Sequence, residues 1–338
     1  MDEFMETMTV EEFMTAVEYE RSLIRKPGEP DSIVEAEPLL DKRFCEDMAQ
    51  TVQHLLGHQY EVEHVICPKN NGVKLDGLLI KKKGTCVAST FYLGHLYNDF
   101  KHGQSTITEL SYRMVNAYLQ DEEENKRFAG SCANWLDRTY ILNHVVYRIV
   151  NRAFNEELLK TVPYSPLDND LVKIFYINAL QSDTFTGIMT ITDSLMDALG
   201  LTLAELEEYS EENTPTLLKP KFRAMDSFLS ILCDEYVASE PKSGLWVLTN
   251  EKNMYGASAI FYDGLMESIS ELLDSDLYII PSSIHEAIIS KAPLPMFEDY
   301  MRGQIRSINS DANVLSREEV LSNNLYYYKR HSNQISVV

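Results

Sequence analysis

The chain has 338 residues, 44% of them apolar, and a formal net charge of −22, enough for one large domain or two ordinary ones with a buried core. That charge repels nucleic-acid phosphates and anionic membrane surfaces, and no apolar run approaches the roughly 20 residues that span a bilayer, so neither nucleic acid nor membrane is an expected partner. The five cysteines, Cys45, Cys67, Cys86, Cys132 and Cys233, are odd in number, far apart and without a CxxC pair. This argues against a disulfide framework or a thiolate zinc site. With an N-terminus acidic from its second residue, it leads to the expectation of a cytoplasmic protein.

Residues 1–40 read as an acidic helix and a linker. Thr9 and Glu12 have capping-box spacing, Phe13, Val17 and Ile24 make a loose helical stripe, and RKPGEPDS at 25–32 breaks it. A helix is predicted over 41–58, where Phe44, Met48, Val52 and Leu55 recur at helical spacing. The period then changes. Two β-rich runs across 60–84 flank Asn70-Asn71-Gly72, and Asn-Gly supplies the positive φ angles of a tight hairpin turn. A helical stretch across 90–120 and a charged break at 120–127 complete a helix, hairpin and helix subdomain over 41–125.

Residues 126–338 read as an α+β subdomain. The segment 141–164 is expected to be strand, helix and loop, and 171–180 a strand. Residues 186–218 start as a strand and turn helical near Asp193, read as the N-cap. Residues 244–283 follow as strand, turn, strand, helix and strand, and the C-terminal end as a short helix, a tyrosine-rich strand and a frayed polar tail. Gly187–Ile191 with Leu195-Met196 aligns with Gly256–Ile260 and Leu265-Met266, given one inserted residue. The predicted fold class is therefore α+β, with mixed sheets built from strand-strand-helix units behind a helical N-terminal segment.

Candidate chemistry concentrates at IIPSSIHEAI, residues 279–288. A histidine beside a carboxylate and two hydroxyls at a strand end fits a general base with its orienter: His285, Glu286 and one of Ser282 or Ser283. The same letters fit a helix cap. Ser282 or Ser283 would be the N-cap, Glu286 lies three residues after Ser283 as in a capping box, and Pro281 closes the strand. On a helix His285 and Glu286 would diverge by about 100°, and no GxSxG surrounds either serine, so the cap is the preferred reading.

His54 and His58, four apart on the predicted helix, have the spacing of a helical zinc site. Leu55 stands where HExxH needs glutamate and no third ligand is identifiable, so no metal is predicted; His64 is assigned to the following strand. His95 and His102, seven apart, read as surface or partly buried residues on one helix face. KNNGVKLDG is not a phosphate loop, and Gly244 and Gly256 lack the GxGxxG arrangement, so no cofactor is expected. Residues 195–213 have the outline of a helix-turn-helix with Gly200 at the turn. Glu205, Glu207, Glu208, Glu211 and Glu212 give it the wrong charge for DNA. Nineteen tyrosines, three of them consecutive at 326–328, fit either a protein interface or a half-buried edge strand.

KNNGVKLDGLLI, NTPTLL at 213–218, YGASAIFYDGLMESISELLDSDLYIIPSSIHE and LSNNLYYYKR resemble, in order from about residue 40 to 330, the bacterial family catalogued as domain of unknown function 5688. The resemblance implies no activity and carries over no catalytic residue. The expected function is that of a non-catalytic protein binding a protein partner or a small ligand, since no nucleophile elbow, complete metal set or phosphate loop is present. Two alternatives stand beside it: a hydrolase-type enzyme using Ser282 to Glu286, and an acidic mimic of nucleic acid with its carboxylates in one stripe.

Overall fold

Asp41 begins the first helix: its carboxylate accepts from the N–H groups of Arg43 and Phe44 at 2.8 and 3.3 Å, which satisfies donors that a helix start leaves open. This helix, α1 (Lys42–Leu56), ends at Gly57, whose φ of 80° favours glycine. The computed structural model describes residues 39–84, 88–120, 137–181, 186–225, 244–292, 298–311, 314–332 and 334–338. The acidic helix at 9–24, the linker at 25–32 and the charged break beyond Gln120 fall outside them.

The predicted hairpin is present as β1 (Tyr60–Pro68) and β2 (Lys74–Lys82), antiparallel from Tyr60↔Lys82 to Pro68↔Lys74. Asn71 and Gly72 both have positive φ, 58° and 70°, as a primed turn requires. The stretch expected to be helical over 90–120 instead begins with β3 (Ala88–Tyr92), which pairs with β2, and then divides into α2 (Gly94–Lys101) and α3 (Ile107–Gln120). One face of this sheet packs on α1 and α3. Phe44, Cys45, Met48 and Val52 join Tyr60, Leu78, Ile80, Leu110, Met114 and Tyr118 in a buried cluster.

The remainder is organised by two further sheets. In the first, β6 (Leu171–Gln181) is central, with β4 (Val145–Asn151) on one edge and β5 (Tyr164–Pro166) and β7 (Thr186–Thr190) on the other. The second has the order β13 (Gln334–Val337), β12 (Tyr326–Lys329), β10 (Leu277–Ile280), β11 (Ala287–Lys291), β9 (Leu245–Asn250) and β8 (Pro220–Ala224). The class is α+β as expected, but every strand pairing among the described residues is antiparallel rather than mixed. The two sheets share one core. Tyr147, Ile149, Phe175 and Ile177 of the first meet Trp246, Leu248, Leu277, Ile279, Ile289, Tyr326 and Tyr328 of the second. Burying one such side chain contributes about 1.5–3 kcal/mol, so this layer dominates the stability.

Helices α4 (Arg138–His144), α5 (Asp193–Leu199), α6 (Leu203–Leu217), α7 (Leu265–Leu273) and α8 (Glu298–Ser310) flank these sheets. Several expectations are corrected here. Helix α4 precedes the strand in the 141–164 region instead of following it. The cap of α5 is Thr192, whose hydroxyl accepts from Leu195 N; Asp193 is the first helical residue. The α5–α6 pair does form, with Gly200 left-handed between them and a Thr202–Glu205 capping box. Gly256–Phe261 is a 3-10 turn and not a strand, so it has no structural correspondence with β7, and the strand-strand-helix repeat drawn from that alignment is absent. The tyrosine-rich strand is an interior strand, paired on both edges, and the polar tail is β13. No described helix is long and apolar enough to cross a membrane.

Candidate functional site

The Pro281–Glu286 stretch joins β10 to β11 directly, and no helix follows. The serine half of a capping box is nevertheless made, while the Ser283 N–H donates to the Glu286 carbonyl at 3.1 Å and not to its carboxylate. Ser283 Oγ accepts from the N–H of His285 at 2.9 Å and of Glu286 at 3.3 Å, and donates to Glu286 Oε1 at 3.0 Å. Ser282 Oγ reaches the same oxygen at 3.5 Å. Ser283 and Glu286 are buried. The expected helix is overridden because Ala287–Lys291 has strand partners on both sides, β9 and β10.

His285 serves a neighbouring corner. Its Nδ1 accepts from the backbone N–H of Tyr255 at 3.2 Å, which places the ring proton of the neutral form on Nε2. Its carbonyl accepts from Thr249 Oγ1 at 2.8 Å. The Tyr255 corner is tightly wound. Asn250 closes it with Oδ1 accepting from Lys252 N and Nδ2 donating to Met254 O. Asn253 and Tyr255 are left-handed, at φ 49° and 53°, costly conformations for residues with a Cβ and ones that gather at ligand sites. Gly256 follows because nothing larger fits: a Cβ there would lie 2.2 Å from Thr249 Oγ1 and 2.6 Å from His285 O.

This winding presents the Tyr255 ring to three side chains from distant sequence. His285 stacks on it at 5.6 Å and 13°, Tyr176 meets it edge-on at 5.5 Å, and the guanidinium carbon of Arg148 lies 4.4 Å from its centroid. Such a cation over an aromatic face is attracted by the ring quadrupole. The Tyr176 hydroxyl and Arg148 Nε are buried and have no hydrogen-bond partner among the described residues. Burial pushes the Tyr176 hydroxyl far above the usual phenol range, with Tyr255 adding to it, so it stays a neutral donor. Lys69, at the end of the hairpin, donates to Tyr92 Oη at 2.6 Å. Burial acts to lower its pKa, and Tyr92, Glu318 and Tyr255 outweigh it, holding the ammonium above its ordinary range.

The hairpin tip is held against this body by amides. Asn71 Nδ2 donates to the carbonyls of Arg317 and Val320, both at 2.7 Å, and Asn70 Nδ2 to Glu318 O at 2.8 Å. Asn71 N donates to Asn155 Oδ1, and Asn155 Nδ2 returns a bond to Asn71 Oδ1.

The predicted histidine pair does not assemble. Gly57 ends α1, so His58 leaves the helix, and both His54 and His58 are exposed. His102 likewise lies beyond α2, and its Nδ1 is engaged with Asn98 O. A different group forms instead: His64 Nε2 is 2.6 Å from Asp76 Oδ1, and Cys45 Sγ is 3.9 Å from the same oxygen. Asp76 Oδ2 accepts from Leu40 N at 2.8 Å. Burial first, and then the carboxylates of Asp76 and Asp41, push the Cys45 thiol up to about 12, so without a metal ion it is a protonated core thiol. Asp76 shares the inward phase of β2 with Leu78 and Ile80, and a carboxylate in that phase was the readable sign. Nothing local announces Arg148 or Tyr255, which only the fold brings together.

The sequence profile of a family of unknown function, DUF5688, matches residues 41–330. No curated protein and no solved structure matches the chain.

Proposed function

The chain belongs to the family of unknown function DUF5688, and on that premise we propose that it is a non-catalytic binding protein whose ligand offers a carboxylate or phosphate to Arg148 where that residue lies over Tyr255. The observation that carries this reading is the Arg148 side chain itself. In a chain of net charge −22, Arg113, Arg138, Arg302 and Arg330 each pair with a carboxylate. Arg148 is half-buried, rests on an aromatic ring and has no carboxylate partner among the described residues. A guanidinium recognises carboxylate and phosphate with two parallel N–H donors, and the Tyr176 hydroxyl is a further unused donor beside the same ring.

Binding is favoured over hydrolysis by the local bonding. The Ser283 proton is directed at Glu286, and Nδ1 of His285 is taken by Tyr255 N, so neither is arranged as a nucleophile and its base. The test is isothermal titration of the whole protein with inorganic phosphate and with citrate, repeated on Arg148→Gln. The expected result is saturable binding by at least one anion, weakened at least tenfold, about 1.4 kcal/mol, in the variant. Equal affinity in Arg148→Gln, or binding of neither anion, overturns the assignment. Turnover of a chromogenic ester by the wild type and not by His285→Ala would move the site to hydrolysis.

A further inference from the structure

We propose that Cys45, His64 and Asp76 form a binding site for a zinc-type divalent cation, independent of the Tyr255 corner. The three donors come from three elements, α1, β1 and β2, and their ligand atoms all lie within 4.8 Å of one another. The other such group among the described residues, Glu267, Glu271 and His331, is fully on the surface and has no comparable enclosure.

The chemistry of the donor set suits zinc. A thiolate, an imidazole and a carboxylate are the ligands this borderline-soft ion takes, at about 2.3, 2.0–2.1 and 2.0–2.2 Å. Tetrahedral bonds of those lengths put sulfur and oxygen about 3.6 Å apart and nitrogen and oxygen about 3.4 Å apart. The observed sulfur–oxygen separation is 3.9 Å and the nitrogen–oxygen separation 2.6 Å. The His64 ring needs to back away from Asp76 by less than an ångström and the sulfur to close by about 0.3 Å; the His64 side chain is 24% exposed while that of Asp76 is 3% exposed. The partly open histidine side provides the entry path, and three protein ligands leave the fourth position to water.

Charge supports the same assignment. Asp76 is a buried carboxylate whose ion-pair partner among the described residues is a histidine, charged only if protonated. Burying an anion without a firm cation is expensive. A divalent ion bound by one thiolate, one carboxylate and one neutral imidazole gives a site of zero net charge, with the displaced thiol proton going to solvent. Asp76 is already oriented for this by the Leu40 N–H on its second oxygen, the outer-shell support that metal carboxylates characteristically have.

The experiment is cobalt titration of the reduced full-length protein after chelator treatment. The expected outcome is one equivalent bound, with a near-ultraviolet sulfur-to-cobalt charge-transfer band that zinc abolishes. The band should persist in Cys67→Ser and vanish in Cys45→Ser. His64→Gln, at the partly exposed ligand, tests the site without emptying the core. It should weaken binding by at least about tenfold, since even outer-shell partners are worth roughly 10–100-fold. Absence of the band in the wild type, its survival in Cys45→Ser, or unchanged affinity in a folded His64→Gln each overturn the site.

Discussion

Asn71 is the residue through which the β1–β2 hairpin tip is fastened, and replacing it with glycine isolates that function. Glycine adopts the φ of 58° without strain, so Asn71→Gly keeps the turn and its backbone bonds. It removes only the two Nδ2 bonds to Arg317 O and Val320 O and the Oδ1 acceptor used by Asn155. At about 1 kcal/mol net per bond, with about 0.5–1 kcal/mol more for the freedom glycine adds to the unfolded chain, the loss should be about 3–4 kcal/mol. That is a large share of the roughly 5–15 kcal/mol by which domains are stable. Urea denaturation followed by circular dichroism measures it from the midpoint and slope. Asn71→Asp keeps the acceptor and loses both donors, a loss of about 2 kcal/mol at the same rate, to which the charged oxygen now facing the Arg317 and Val320 carbonyls adds. A loss under about 1 kcal/mol in Asn71→Gly would refute this reasoning, leaving the tip seated without help from the Asn71 side-chain amide.

Gly256→Ala should destabilise by about 3 kcal/mol or more, at the upper end of overpacking costs, because its Cβ would meet His285 O at 2.6 Å and Asn250 N at 2.7 Å, both backbone atoms that cannot step aside; a melting temperature near wild type would contradict the winding described for the Tyr255 corner. Asp276 is held below the usual carboxylate range, first by the Tyr327 hydroxyl and then by the Arg330 N–H. Its folded pKa is lowered, so its contribution is present above the unfolded value and is lost as pH falls through the folded one. The gap in melting temperature between wild type and Asp276→Asn should accordingly be constant near neutrality and close as the pH falls below the ordinary aspartate value, about 3.9; a gap that widens on acidification would reverse the sign of this reasoning.

What could be read from the sequence was what is local and periodic. Phe44, Met48 and Val52 marked α1 by helical spacing, Asn71-Gly72 the hairpin by its turn chemistry, and Leu171–Leu180 a strand by an unbroken β-rich run, each signal lying within a single local stretch. Gly256–Phe261 was misread because a short apolar run has no period of its own. Its fate was set by the left-handed residues before it and by Thr249 and His285 across the turn. Ser283 carried the serine half of a capping motif, and its continuation was decided elsewhere, by the strands β9 and β10 that pair with Ala287–Lys291. The cysteine count hid a thiol paired with His64 and Asp76, since thiolate spacing rules see only neighbours along the chain. Arg148 and Tyr255 share no element and no motif, and only the packing of β4 beside the 3-10 turn makes them partners.

The hairpin clamp also sets an order of events during synthesis. Asn71 is 249 residues ahead of the Val320 carbonyl it binds. At roughly 5–20 residues per second, a ribosome needs about 12–50 s to cover that interval. The hairpin itself, whose pairs are local, closes within about 1–10 μs. Throughout that interval the hairpin is a finished shape that lacks the 317–320 segment of its socket, and β12 and β13, at 326–337, are made later still. Joining of the two regions is thereby late relative to hairpin closure, a step that a chain stalled before residue 320 can never take.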